Sequence, residues 1–138
     1  MLTNNYKCVM DVKGRINFPA KFREEMGNHI LVAPWLDGCL IAVTENGFKD
    51  IINKCIEKEP VKARNFTRFI YSNATNVDAD KQGRILLSQD LREYAILEKD
   101  IKIIGVGDHA EIWSLSKWEE LKKTFNKDDM LAMLDGIR

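Results

Sequence analysis

Apolar and polar positions alternate in short blocks along this chain, and the same order of blocks occurs twice. Ile16 and Phe18 alternate with Arg15 and Asn17, which predicts a strand with one apolar and one polar face leaving a turn at Asp11 to Gly14. A short helix should follow, with Pro19 at its first position and Gly27 at its end. Two apolar runs, Ile30 to Ala33 and Leu40 to Val43, then read as a strand pair turned by Asp37-Gly38. Phe48, Ile51, Ile52, Cys55 and Ile56 recur at helical spacing up to a stop at Pro60. The second half repeats this plan. A turn at Asp80 to Gly83 leads to a helix capped by Ser88, then to strands at Ile101 to Val106 and Glu111 to Trp113 around Gly107-Asp108. A closing helix carries the capping-box pattern Ser116-x-x-Glu119 followed by Trp118, Leu121 and Phe125. Between the halves, Ala63, Phe66, Phe69 and Ile70 mark one face of a connecting helix within residues 61–72. Beyond Asn126 an acidic-then-apolar tail (Asp128, Asp129, Met130, Leu131, Met133, Leu134) leaves three readings open: a last helix, a frayed end or an oligomer contact.

The repetition extends to residue identity. The stretch Asp11-Val12-Lys13-Gly14-Arg15-Ile16 returns as Asp80-Lys81-Gln82-Gly83-Arg84-Ile85, and Arg23 returns as Arg92, all at one shift of 69 positions (80 − 11). An aspartate at the first position of a type I turn accepts hydrogen bonds from the turn's own backbone. Glycine at the fourth position tolerates the left-handed conformation of a bulged hairpin, so Asp11, Gly14, Asp80 and Gly83 are expected to shape two hairpin tips. The absence of any stretch rich in proline, glycine or serine argues that the halves share a core or pack closely.

At 138 residues and 45% apolar, the chain can bury a core. Its apolar runs are far shorter than the roughly 20 residues of a membrane span, and the opening residues lack the pattern of a secretory signal, so a cytosolic protein is expected. Cys8, Cys39 and Cys55 are odd in number and widely spaced, which favours buried reduced thiols over a zinc site or disulfides. No metal, cofactor or small-molecule substrate is expected. The only histidines, His29 and His109, stand outside any nucleophile elbow, zinc helix, phosphate loop or dinucleotide fingerprint and read as surface or capping residues. Asp11 and Asp80 each precede an arginine by four positions, and an ion-paired aspartate is a poor general base at neutral pH. The chain is therefore not expected to be an enzyme.

Charge narrows the choice further. Overall, 21 basic residues balance 21 acidic ones, yet Lys7, Lys13, Arg15, Lys21 and Arg23 face Asp11 alone in the first copy. In the second copy Lys81, Arg84 and Arg92 are matched by Asp78, Asp80 and Asp90. A basic hairpin tip can reach phosphates or base edges in a major groove wide enough for a two-stranded ribbon. The competing reading is a local Asp–Arg ion pair. It is preferred for Arg84, while for Arg15, with Lys13 beside it, ion pair and DNA contact stand level. The candidate DNA-binding set is Lys7, Lys13, Arg15, Lys21, Arg23 and Arg84.

Several motifs together resemble the MraZ family: the paired D-x-x-x-R motifs, K-G-R-I and P-A-K-F-R-E-E within residues 13–25, L-D-G-C-L at 36–40, D-K-Q-G-R-I-L at 80–86, L-R-E-Y-A at 91–95 and E-I-W-S at 111–114. One motif copy alone would suggest only the wider AbrB or SpoVT class. The likeness runs from the first residues to about Trp118. It implies an α+β fold of two pseudo-symmetric, AbrB-like swapped-hairpin units that interleave into one β-barrel-like domain with flanking helices. The units are expected at residues 5–47 and 74–117, with connecting helices over 48–73 and a C-terminal helix and tail over 118–138. The resemblance further implies a bacterial cytoplasmic, nucleoid-associated regulator. Such a protein forms a ring-shaped homo-oligomer, an octamer or larger, and binds short direct repeats in the promoter of the division and cell-wall gene cluster. Three positions depart from the family pattern: Ser88 replaces a usual proline, Ile96 a common glycine, and Met1-Leu2-Thr3-Asn4-Asn5 the usual opening. In the combined reading the first tip faces DNA and the second copy chiefly builds the ring or offers a weaker supporting surface. The competing class is an AbrB-like antitoxin or interaction module, which usually joins one such unit to a disordered tail. Two units with almost no tail argue against it.

Overall fold

The computed structural model describes residues 1–137, so the predicted segment 118–138 runs one residue past the described range. Among the described residues, eight strands and six α-helices follow one another as two similar series. The first is β1 (Asn5–Val9), β2 (Arg15–Asn17), α1 (Ala20–Met26), β3 (His29–Pro34), β4 (Leu40–Val43) and α2 (Glu45–Lys58). After α3 (Ala63–Asn73), the second comprises β5 (Thr75–Asp78), β6 (Arg84–Leu86), α4 (Gln89–Tyr94), β7 (Asp100–Gly105), β8 (Ala110–Ser114) and α5 (Leu115–Lys122), and α6 (Lys127–Asp135) closes the chain.

The halves exchange strands. β1 does not pair with β2 across the Asp11–Gly14 turn; it pairs antiparallel with β7 of the other half, while β5 pairs with β3. The expected hairpins are thus tips whose arms diverge, and the swapped-hairpin α+β architecture is present. Six strands form one sheet in the order β1-β7-β8-β4-β3-β5, and β2 and β6 form a separate two-stranded ribbon. The ribbon is centred on Ile16 opposite Ile85, which are equivalent positions of the repeat. An approximate two-fold axis therefore passes through this pair. Ile41 opposite Glu111 marks the matching centre on the large sheet.

Two cores result, one on each face of the sheet. The first lies between the sheet and the ribbon with α1 and α4, where Ile16, Phe18, Phe22, Ile85, Leu87 and Leu91 meet Ile30, Leu40, Ile101 and Ile112. The second lies under α2, α3 and α5, where Phe48, Ile52 and Ile70 pack with Trp35, Ile41 and Trp113. Ile16 and Ile85 are both fully buried, so the polar face of the ribbon must point outward.

Local details refine the sequence reading. Pro19 is the N-cap of α1 and not its first helical residue, whereas Ser88 caps α4 as expected, its hydroxyl accepting from the Leu91 N–H at 3.3 Å. The capping box at Ser116 does not form: Ser114 holds the N-cap position, and its hydroxyl meets that of Ser116 at 3.0 Å. Phe125 lies beyond α5 but reaches back to Trp118 with ring centroids 6.0 Å apart. All three cysteines are free; Cys39 is buried and Cys8 and Cys55 are half-buried, and burial pushes the Cys8 thiol up to about 11. Among the described residues, no helix is long and apolar enough to cross a membrane.

Candidate nucleic-acid interface

Each D-x-x-G-R turn is tied together by its own aspartate. Asp11 Oδ1 accepts from the backbone N–H of Lys13 at 3.0 Å and of Arg15 at 2.8 Å, while Oδ2 accepts from Arg15 Nε at 2.7 Å. Asp80 repeats the pattern with Gln82 N–H at 2.9 Å, Arg84 N–H at 2.8 Å and Arg84 Nε at 2.9 Å. The Arg15 backbone N–H, then its side chain, draws the Asp11 carboxyl down to about 2, and Arg84 lowers Asp80 in the same way. Both arginines therefore make the local ion pair, through Nε alone, and keep their Nη groups as donors.

The two turns are also locked to each other. The carbonyl of Gly83 accepts from Phe18 N–H at 3.0 Å, and that of Gly14 accepts from Leu87 N–H at 2.9 Å. Gly14 (φ +94°) and Gly83 (φ +79°) take the left-handed conformation that the turn requires. Close approach adds a second requirement, because a β-carbon on Gly83 would stand 2.5 Å from Arg23 Nη2, and one on Gly14 would stand 2.8 Å from Arg92 Nε. Arg23 donates through Nε to the Phe18 carbonyl at 3.2 Å, and Arg92 to the Leu87 carbonyl at 3.2 Å. Each of these two guanidiniums lies over the glycine of the opposite turn.

The predicted residues do not all share one surface. Arg15 and Arg84 lie on the outer face of the ribbon with Asn17 and Leu86, and the tips add exposed Val12, Lys13, Lys81 and Gln82. Lys21 is exposed on the neighbouring helix α1. Arg23 is half-buried under the second turn, and Lys7 stands across from Lys102 on the far face of the large sheet, away from the ribbon. Asn17, Lys81 and Leu86 share this surface without standing out in the sequence, because their neighbourhood depends on β2 meeting β6. Arg92 was legible only as the repeat partner of Arg23.

His29 is exposed and bonded to Asp78 at 2.7 Å. His109, expected as a surface or capping residue, is not on the surface. Its side chain is largely buried beside Trp35, with Nδ1 2.6 Å from Asp108 and Nε2 3.7 Å from Glu111. Neither lies in the ribbon. Among the described residues no three His, Cys, Asp or Glu side chains come close enough to hold a metal ion.

Comparison with known proteins agrees with this duplicated geometry. The family model described as "MraZ protein, putative antitoxin-like" matches twice, at residues 1–69 and 70–134. The chain belongs to the MraZ family. The break between the two MraZ matches falls inside α3, the helix that joins the halves. A Transcriptional regulator MraZ of Alkaliphilus oremlandii is 42% identical over 135 residues, covering 96% of this chain and 91% of that protein. Its namesake in Caldanaerobacter subterraneus is 44% identical over 126 residues, covering 90% and 88%. A third, from Moorella thermoacetica, is 40% identical over 135 residues, covering 96% and 94%.

Proposed function

We propose that this chain is a transcription regulator that binds double-stranded promoter DNA through the outer face of the β2–β6 ribbon. The observation that carries this reading is that face itself: Arg15, Asn17 and Arg84 project from a two-stranded ribbon whose other side is buried, with Lys13 and Lys81 at its two ends. A two-stranded ribbon is of a size that enters the major groove, where arginine meets guanine or phosphate and asparagine meets adenine. The local charge also favours DNA, since Lys13, Arg15, Lys81 and Arg84 outnumber Asp11 and Asp80 by two. Lys21 extends the basic surface along α1. Arg23 acts from beneath by fixing the second tip, and Lys7 lies too far round the sheet to join the same contact. The relatives' name, transcriptional regulator, supports the same function.

One ribbon makes only a few contacts, which is little for tight specific binding. A ring-shaped homo-oligomer would repeat the ribbon at fixed spacing and set successive ribbons on short direct repeats, so that each later contact gains from high effective concentration. We place this activity on the promoter of the division and cell-wall gene cluster, in the bacterial cytoplasm at the nucleoid. An antitoxin-like interaction module is the competing reading.

Footprinting of the full chain on its own upstream promoter tests the proposal. Regularly spaced protection is expected, lost when Lys13 and Arg15 are both replaced by alanine although melting and oligomer size are unchanged. Absence of protection by the unaltered chain would leave the interaction module as the reading.

A further inference from the structure

The C-terminal helix α6 carries an apolar stripe that joins neither core. Met130, Met133 and Leu134 follow the i, i+3, i+4 spacing of one helical face, Ile137 continues that spacing in the turn past the helix end, and all four remain between 50% and 74% exposed. Every described residue after Leu121 is exposed. Such a stripe in water signals a missing partner. Elsewhere in the same chain an open apolar groove of about 390 Å³ runs between α2 and α3, walled by Trp35, Leu36, Ile51, Cys55, Ala63 and Phe66.

We propose that α6 of one copy docks into the α2–α3 groove of a neighbouring copy. The inference rests on the self-association proposed above and is independent of DNA contact. Three observations favour this occupant. The stripe from Met130 to Ile137 and the groove wall from Ile51 to Lys58 both extend for two helical turns, about 10 Å. The charges are complementary: Lys58 and Lys62 stand at the groove against a single Glu59, whereas α6 opens with Asp128 and Asp129 after Lys127. The groove is not filled by the chain's own α6, since its walls come from residues 35–66 and no described residue of α6 lines it.

Cys55 makes the contact directly readable. Full-length chains carrying Met130→Cys, Met133→Cys or Leu134→Cys are treated with a short bismaleimide, which removes the strict geometry of a disulfide. At least one is expected to give cross-linked species of dimer size and above, lost when Cys55→Ser is added. In a chain with Leu134→Asp, oligomer size should fall while melting holds, since α6 contributes nothing to either core. Cross-linking within a single chain, or no Cys55-dependent cross-link in a chain that light scattering finds oligomeric, would overturn the docking alone. An unaltered chain that scatters as a monomer would overturn self-association itself.

Discussion

Arg23 of the first half closes over Gly83 of the second, its guanidinium filling the space where any side chain at position 83 would stand. Arg92 covers Gly14 in the same manner, so each tip is covered by an arginine from the other repeat. The two glycines differ in one respect. At Gly83 the obstruction is the mobile end of Arg23, whereas at Gly14 the Leu87 carbonyl also lies 2.9 Å from a β-carbon position.

Alanine at either position must adopt a positive φ and displace a neighbour, costing about 1–3 kcal/mol. Gly14→Ala should be the worse of the two, because backbone yields less than a side chain. Adding Arg23→Ala should recover part of the Gly83→Ala loss but none of the Gly14→Ala loss. Denaturant melts of the single and double variants check this as a thermodynamic cycle. Equal losses in all backgrounds would show that φ alone sets the cost.

Ile96 offers a stabilising change. It ends α4 in a Schellman arrangement, with its own N–H bonded to the Glu93 carbonyl at 3.1 Å and the Leu97 N–H to the Arg92 carbonyl at 2.9 Å. That position takes φ +52°, which is strained for a β-branched residue. Its side chain is 55% exposed, so little packing is lost on removal. Ile96→Gly should raise stability by about 1 kcal/mol, because the relief of a left-handed isoleucine exceeds the added entropy of the unfolded chain. A lower Tm for the variant would contradict it.

What was legible in the sequence was local. The turn aspartates, the Ser88 cap and the apolar strands depend on residues within a few positions of one another, and each formed where its pattern stood. The partner of each strand was not legible that way, because an alternating pattern at β1 suits β2 or β7 equally. Only the resemblance supplied the exchange. The site shared this limit: Lys13 and Arg15 were visible as a basic tip, but the ribbon face required Ile16 to meet Ile85 across 69 positions. Arg23 looked like one more cation in a basic run, and nothing local in the sequence places its guanidinium over Gly83 of the other half.

Acid should weaken the turns. The Asp11 carboxyl is held at about 2, below the unfolded value of about 3.9, so its ionised form favours the fold. The stabilisation is complete above the unfolded value and is lost as pH falls through the folded one, between about pH 4 and pH 2. Asp11→Asn should therefore lower the Tm most near neutral pH, with the difference from the unaltered chain shrinking across that window. Thermal melts in a pH series decide the matter. A difference independent of pH would mean that the carboxylate charge contributes nothing.

The clamp and the contact residues should separate in salt. Arg15→Ala removes a proposed phosphate or base contact, so it should weaken DNA binding and, if a phosphate is lost, flatten the slope of log affinity against log salt by about 0.9. Arg23→Ala should lower the Tm and weaken binding through a loosened tip, leaving the slope unchanged. Filter binding at several salt concentrations beside thermal melts distinguishes the two. A flattened slope for Arg23→Ala without loss of Tm would move Arg23 onto the DNA.

Box number tests the ring against a lone ribbon. Every ribbon that engages a repeat neutralises its own few phosphates, so the salt slope should steepen with each box, from shallow on a one-box duplex to about −5 or beyond on a multi-box site. Affinity should rise more than the count of boxes, because later ribbons bind from within the same assembly. A module that touches DNA only incidentally would show a small slope indifferent to box number. Binding of the full chain to one-, two- and three-box duplexes over a salt series measures both quantities together. A constant slope would defeat the ring reading even where binding itself is specific, since the additional boxes would then be adding no phosphate contacts.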